Sequence, residues 1–505
     1  MYAEERKEKS IITVFLGFLL GLVYFSNNSL IIAISSIQQD LGISTMNINW
    51  VVNSYNISIV SILVIAGRIC DRLGSARALQ YSLPIYVGGS LLILFAQETF
   101  VLVLGRFFQG WSLAFLYPCL ARVVTGNFQG KELGKAIGLY NGIASIFMPL
   151  GFFIGGWICT YGTWRYIYII DGGWGIILWF LTFFLLKKDS PKKHTKIHIP
   201  GFLLFSAGLV CFIAVIMEGK VWGWSSPLSL TLFGGALLFF FLFYLVNRKA
   251  KDPLLHFQLF RSPSTIAAFF VMFSVSTVYL ISVIWSIYLQ AHFFLSPLAA
   301  GTLLLLTVVP TVFFSPFIGS LIDRVHIGRL ISLGLLLGAA GTGIILLGLN
   351  QNHIWILVLG FVVYGNYLIF CRTPTSILLY SSIEPARRGK IFAVYKLWSQ
   401  IAVLTGFSFL AANMASVEVN LIEERFAEYQ ITDIPISEAR QVTISKEALE
   451  KIEAEYPVGT VDLVKKIVQQ AGVEGLESTM WVPIYIFLLT FLLFNLYCWK
   501  TKSTF

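Results

Sequence analysis

The chain has 505 residues, of which 57% are hydrophobic and only 12% charged, with forty-three phenylalanines and a mean hydropathy of +0.77. Soluble globular proteins carry roughly a quarter charged residues, so the composition excludes a soluble fold and places the chain in the lipid bilayer. The formal net charge is +10, but its bases sit in short loops between apolar stretches, where membrane orientation already accounts for them and nucleic-acid binding need not be invoked.

Crossing the hydrocarbon core takes about twenty mostly apolar residues. Fourteen stretches meet that requirement: 11–34, 47–67, 78–97, 99–122, 134–158, 165–186, 200–218, 228–247, 265–290, 298–319, 329–349, 354–380, 391–413 and 481–499. The first is too long for a signal-peptide core and no small-residue cleavage site follows it, so it reads as a retained span. Basic residues then alternate from loop to loop. Arg68, Arg72 and Arg77 follow the second span, Arg122, Lys131 and Lys135 flank the loop after the fourth, and Lys187 to Lys196 follow the sixth. Arg248, Lys249 and Lys251, then Arg324 and Arg329, then Arg387, Arg388 and Lys390 continue the pattern. The positive-inside rule makes these loops cytoplasmic, and with them both chain ends, in a cell (inner) membrane.

Basic linkers at Lys187–His198 and Arg248–Ser264 divide the chain into an N-terminal six-helix bundle (1–186), linkers with an inserted helix pair (187–264) and a C-terminal six-helix bundle (265–505). The last contains an acidic insert, 415–480, with thirteen of the twenty-six acids and six of the thirty-six bases, a net −7 against +17 for the rest. Aliphatic periodicity over Ser445–Tyr456 and Val461–Gly472 predicts short amphipathic helices, hence a folded extracytoplasmic cap that is a candidate surface for an extracytoplasmic partner. The expected fold is all-α.

A charged turn occurs twice, after the second span of each group of six: Gly67-Arg68-Ile69-Cys70-Asp71-Arg72-Leu73-Gly74 and Gly319-Ser320-Leu321-Ile322-Asp323-Arg324. In so uncharged a chain the repeat points to internal duplication. A carboxylate at one helix end can face the positive N-terminus of a neighbouring helix, and such a contact is lost when two halves rock apart. Gly67, Asp71, Arg72, Gly74, Arg77, Asp323 and Arg324 are therefore candidates for a conformational latch; the alternative is that the arginines only set topology.

Polar residues inside the spans are few. An unpaired guanidinium in lipid is expensive, so Arg106, with Gln109 one turn on, faces the bundle interior, either for coupling or to bond carbonyls of a broken helix. Arg372 lies inside the cavity if its helix runs past Pro374, and snorkels to the cytoplasm if it does not; Lys396, near the start of its span, reads as snorkelling. Asp171 is the clearest acid within a span, either as the carrier of a coupling proton or as a helix-end partner. Asn49, Asn53 and Asn56 recur on one face of the second span, and Ser26, Asn27 and Asn28 enrich the first. Amides in lipid either glue helices together or line a wet cavity, and a hydrogen-bonding wall is the reading taken here. Gly134, Gly138 and Gly142 form a small-residue ladder suited to close helix packing.

These features resemble the major facilitator superfamily, and within it the fourteen-span drug:proton antiporter branch. The superfamily's loop signature is matched by Gly67, Asp71, Arg72, Gly74 and Arg77, and its fourth-span signature by Arg106, Gln109 and Gly110. Trp50 with Tyr55, Trp164-Arg165, Leu259-Phe260-Arg261, Tyr288-Leu289-Gln290 and Ser296-Pro297-Leu298 with Gly301 match strings typical of the branch. The resemblance implies two six-helix bundles enclosing a central site that is exposed alternately to either side. Drug exporters of the family usually carry an acid in the first span, where this chain has Ser26. Their glycine-rich fifth-span signature is recognisable in Gly151, Gly155 and Gly156, with Phe152 in place of proline. Asp171 and Gly173 occupy positions early in the sixth span where Asn and Pro are usual.

The six cysteines are scattered singly, and no P-loop, nucleophile elbow or metal-ligand spacing is present, so neither enzyme chemistry, a cofactor nor a metal site is expected. The function expected is secondary active transport of a small polar or anionic organic solute, siderophore-like or organic-acid-like, because interior cations outnumber interior acids. The alternatives are a proton-coupled multidrug exporter of cationic or lipophilic compounds, and a transporter-like protein that only binds.

Overall fold

In hydrocarbon a backbone satisfies its polar groups only as helix or closed barrel. The computed structural model of the chain describes residues 2–43, 45–128, 130–186, 198–250, 263–322, 324–381, 388–431, 434–440 and 456–500, and these form helices joined by short turns. The helices are α1 (Tyr2–Leu41), α2 (Thr45–Leu73), α3 (Ser75–Leu94), α4 (Thr99–Asn127), α5 (Gly130–Tyr161), α6 (Arg165–Leu185), α7 (Ile199–Trp222) and α8 (Pro227–Lys249). They continue with α9 (Pro263–Thr277), α10 (Ile281–Ala291), α11 (Pro297–Leu305), α12 (Val309–Ile322), α13 (Ile327–Asn350), α14 (Ile354–Ser381), α15 (Arg388–Glu428), α16 (Ile436–Ala439) and α17 (Val458–Lys500).

Twelve spans among the described residues are long and apolar enough to cross a membrane, and α2 makes a thirteenth when its two bent parts, Asn47–Leu63 and Ile65–Leu73, count as one. The remaining expected stretch, 78–97, folds as the 20-residue helix α3, whose Ser75, Arg77, Gln80, Ser82 and Pro84 dilute its apolar character. Two further spans expected as continuous are broken. α9 gives way to α10 around Val278, whose carbonyl accepts a hydrogen bond from the Tyr364 hydroxyl at 3.2 Å, and α11 gives way to α12 just before Pro310, which has no N–H to continue a helix. The Ser296-Pro297 string has a plain physical role: the Ser296 hydroxyl accepts the Ala299 N–H at 3.2 Å, with proline in the first turn.

Within the first six helices α1 packs along α5, α2 along α4, and α3 between α4 and α6. In the later part α13 packs on α14 and α17, and α15 on α9 and α17. The two groups meet along three seams: α5 with α11, α1 with α10, and α2 with α15. The α7–α8 hairpin lies against the last of these, touching both α2 and α15.

One end of the α5 seam is zipped. Gln290 Nε2 of α10 donates to the Ile32 carbonyl of α1 at 3.2 Å, and the Leu298 N–H to Thr160 Oγ1 at 3.0 Å. A Cβ on Gly156 would lie 2.7 Å from the Pro297 carbonyl oxygen, so only glycine permits this approach. The other end is parted. Helical spacing puts Gly142 and Gly138 on the same face of α5 as Gly156, yet nothing lies within 4 Å of a Cβ built at either. The packing expected of this ladder is therefore not made by Gly138 and Gly142 among the described residues, because nothing lies against that stretch of α5; Gly134 is one turn further along. Gly151 and Gly155 do pack closely, on Phe25, Asn28 and Ser29 of α1.

The acidic insert is built on the extended last two spans. α15 is 41 residues long and α17 is 43, and beyond the apolar spans they are joined by a small core that includes Ile422, Phe426, Val461, Val464 and Val468. Arg440 locks it with a two-pronged contact to Glu418, at 3.2 and 2.8 Å. The predicted helix Val461–Gly472 lies within α17, while 445–455 falls outside the described residues.

Candidate functional site

Five helices of the first group contribute to one buried polar cluster. Arg106 of α4 is 1% exposed; its guanidinium donates to Gln109 Oε1 at 2.9 Å and Asn27 Oδ1 at 3.4 Å, and lies 4.3 Å over the Tyr55 ring of α2. Gln109 passes the chain on, donating to Ser90 Oγ of α3 at 2.9 Å, and Asn27 donates to the Tyr55 hydroxyl at 3.3 Å. Asp171 of α6 is 0% exposed and accepts the Ser26 hydroxyl of α1 at 2.7 Å. Its other oxygen and Arg106 Nε have no hydrogen-bond partner. A cation and an anion thus share one pocket without direct contact. Burial of either alone would be costly; together they leave it neutral.

Asp171 is therefore deep between helices, bonded to the residue standing where a first-span acid is usual. Ser26 and Asp171 are 145 positions apart, and the sequence held no signal joining them.

A second site lies between the two helix groups. A narrow cavity of about 60 Å³ is walled by Tyr24 and Asn27 of α1, Asn56 of α2, Tyr117 of α4, Ser276 of α9, Tyr279, Arg372 of α14, and Lys396, Ser399 and Gln400 of α15. α14 does continue past Pro374 to Ser381, which puts Arg372 inside the span and on the cavity wall, its guanidinium 6.0 Å from the centre of the Tyr279 ring. The carbonyl of Arg372 accepts the Ser376 hydroxyl at 2.9 Å, steadying the helix around the proline. Lys396, expected to snorkel, faces the cavity instead, with Nζ 5.6 Å from the centre of the Tyr117 ring across the seam. Among the described residues no acid lines this space.

The amides divide. Asn56 lines the cavity and donates to the Val52 carbonyl at 3.1 Å. Asn53 crosses the seam to Ser408 Oγ of α15 at 2.9 Å, Asn28 ties α1 to the Met148 carbonyl of α5 at 3.2 Å, and Asn49 is buried with its oxygen unpartnered. Only Asn56 of these four is part of the cavity wall; Asn27 and Gln400 are cavity amides too.

At the parted end Asp71 pairs with Arg122 of α4 at 3.0 Å, within its own helix group, and both are partly exposed. Gly74 has φ +87° at the tight turn between α2 and α3, where a side chain would be strained. Gly67 lies open, Arg72 and Arg77 are exposed, and Arg324 is exposed at the second turn; Asp323 lies outside the described residues. The zipped end has its own clamp: Asp40 accepts from both Trp164 Nε1, at 3.0 Å, and Arg165, which also holds the Ala96 carbonyl at 2.8 Å.

Two helix groups meeting at a central cavity, with a buried charge pair in one of them, define a polytopic transporter. The chain belongs to the Major Facilitator Superfamily, whose model matches residues 16–407; it is a transporter, not an enzyme. It is similar to the multidrug resistance protein Stp of Mycobacterium tuberculosis (strain CDC 1551 / Oshkosh), 24% identical over 79% of this chain and 74% of the relative. It is also similar to the tetracenomycin C resistance and export protein of Streptomyces glaucescens, 24% identical over 88% of this chain and 83% of the relative. The fold is shared with the crystal structure of a bacterial homolog to the human lysosomal transporter Spinster, inward-facing and unoccupied, at a TM-score of 0.63 and 14% identity over 97% of each chain.

Proposed function

We propose that the protein is a secondary exporter of small organic molecules that carry an acidic group, working by alternating access across the inner membrane. In this reading α3 is the fourteenth span, residues 1–186 and 265–505 are the two moving bundles, and α7–α8 is an inserted pair. Both chain ends are cytoplasmic, as the basic loops suggest, so the parted end of the α5 seam faces the cytoplasm. Ligand pockets usually measure about 300 Å³ or more. A cavity of about 60 Å³ must therefore widen to admit a substrate, as relative movement of two bundles would do.

The observation that carries the anionic reading is the charge of the cavity wall, with Arg372 and Lys396 present and no acid among the described lining residues. Resistance and export by the relatives support the direction of transport. Asp171, beside Ser26 and near Arg106, is the residue we assign to a coupling proton, since a proton-driven carrier needs a group whose charge changes during the cycle. The alternative is a proton-coupled multidrug exporter of cationic or lipophilic compounds. It is favoured by the names of the relatives and by Asp171 lying against the position of the usual first-span acid.

A binding titration of one organic anion and one lipophilic cation separates the two. Loss of a hydrogen bond to a charged group costs about 1.5 to 3 kcal/mol, so Arg372→Gln weakens the anion by that amount, with Arg372→Lys intermediate because lysine lacks the planar fork. The cation binds Arg372→Gln as well as wild type or better. If only cation binding responds, the multidrug reading replaces the anionic one.

A further inference from the structure

Cys70 of α2 and Cys119 of α4, 49 positions apart in the chain, meet where the two helices pack, with their sulfurs 3.0 Å apart. Both are buried, and each sulfur also faces a backbone carbonyl, Cys70 that of Phe115 at 3.9 Å and Cys119 that of Ser75 at 3.7 Å. The helices are held close on either side of the pair. Earlier in α4, a Cβ on Gly110 would lie 2.2 Å from the Tyr55 carbonyl oxygen of α2. One turn after Cys119, Arg122 donates to the Cys70 carbonyl at 3.3 Å and to Asp71 at 3.0 Å. Shortening the sulfur separation by about 1 Å reaches the disulfide bond length of about 2.05 Å, so side-chain adjustment alone closes the gap.

We propose that Cys70 and Cys119 form a reversible disulfide under a peroxide-class oxidant, which makes the α2–α4 contact beside the charged turn a redox-sensitive modification site. The Cys70 sulfur takes one oxygen from hydrogen peroxide, whose O–O bond breaks to release water. Cys119 then attacks the resulting sulfenic sulfur; the S–S bond forms, the S–O bond breaks, and the oxygen leaves as a second water. Two thiols are thereby oxidised by two electrons and the peroxide is reduced to two waters. Cys70 reacts first because its neighbours Asp71 and Arg122, with side chains 37% and 21% exposed, lie between it and the surface. In a reducing compartment disulfides are transient and redox-sensing, which matches a pair that closes and reopens. The bond joins the helices one residue from Asp71 and one turn from Arg122, and so holds that carboxylate to its own bundle. On the latch reading of the turn, which this consequence alone requires, an Asp71 held there cannot serve the closing of the two bundles, and the oxidised protein cycles slowly.

The test treats the full-length protein in proteoliposomes with hydrogen peroxide until surface methionines are oxidised, then denatures it, blocks remaining thiols with iodoacetamide and maps the peptides by mass spectrometry. The Cys70 and Cys119 peptides should appear joined, two hydrogens lighter than their sum, and should separate again with dithiothreitol. Oxidation should also raise the thermal midpoint of the wild type, because a cross-link constrains the unfolded chain, and should leave that of Cys119→Ala where it was. The wild-type peptide map decides the matter by itself should the variant fail to fold. Recovery of both residues as blocked thiols, bonding of either to another cysteine, or oxidation of either to a sulfinic acid overturns the site. For the consequence, vesicles loaded with salicylate and ethidium are followed for release of whichever solute is carried. Release should slow severalfold on oxidation of the wild type, recover with dithiothreitol, and stay at the untreated rate in oxidised Cys119→Ala. An unchanged rate with the disulfide formed overturns its hold on the turn and leaves the modification site standing.

Discussion

The two halves of the molecule treat charge within their spans in opposite ways. In α1–α6 the guanidinium of Arg106 and the carboxylate of Asp171 are enclosed by helices of one bundle and tied to neutral neighbours of that bundle. In α9–α17 Arg372 and Lys396 stand on the cavity wall against tyrosine rings. An enclosed charge moves with its bundle and can change state without touching a substrate, whereas a charge on the wall meets whatever enters. We take this division as the basis of the transport cycle, with coupling in the first half and recognition in the second.

The largest effect that would break the division comes from Asp171→Asn. Uphill transport driven by a pH gradient should be abolished in proteoliposomes, while counterflow exchange, which needs no net proton movement, should persist. Undiminished gradient-driven transport by this variant removes Asp171 from the mechanism. Arg106→Gln comes next. It leaves Asp171 in a buried pocket without a compensating charge, and an unsatisfied buried group costs about 1–3 kcal/mol. The thermal midpoint should fall, and Arg106→Gln combined with Asp171→Asn should recover part of the loss. A single variant as stable as wild type would mean that the two groups do not share a balance.

The helical architecture was legible because hydrocarbon imposes one period and one length on every span. Its breaks were not, since at the α9–α10 break the Val278 carbonyl takes, besides the Ile281 N–H of its own turn, the hydroxyl of Tyr364, 86 residues away. Arg106 with Gln109 was visible as a pair one turn apart, and the geometry keeps them bonded. The partnership of Ser26 with Asp171 was invisible because it joins α1 to α6, and each residue alone has an ordinary explanation. Lys396 was misread for a related reason: position near a helix start favours snorkelling, but which way a lysine points is decided by the neighbouring α4, not by its own sequence. The open surroundings of Gly138 and Gly142 were not legible either, because a small-residue spacing says that a helix could pack there and not that one does.

A smaller effect sharpens the comparison at the membrane surface. Asp71 meets Arg122 of its own bundle, and exposed pairs of this type contribute about 0–1 kcal/mol. Asp71→Asn should therefore leave the thermal midpoint nearly unchanged; on the proposal that the turn is a latch, it should also slow transport severalfold in vesicles at matched expression. Normal rates would reduce the turn to a topology signal.

The smallest effect on transport is expected at Glu218 of α7, which is the acid most able to compete with Asp171 for the coupling role. Its carboxylate accepts the Trp50 indole N–H of α2 at 2.7 Å, and Met217 beside it meets the Asn53 amide at 3.7 Å. Both contacts tie α7 to α2. Glutamine keeps an acceptor oxygen at the same place, so Glu218→Gln exchanges a charged hydrogen bond for a neutral one and should cost about 1 kcal/mol. Trp50→Phe removes the donor and leaves the carboxylate unpaired there, so its cost should be larger, read as a lower thermal midpoint. Gradient-driven transport should survive Glu218→Gln, since a tether needs a bond and not a titrating group. If Glu218→Gln instead abolishes uphill transport with counterflow intact, the coupling acid sits in the inserted pair, and the enclosed charges of the first bundle are structural.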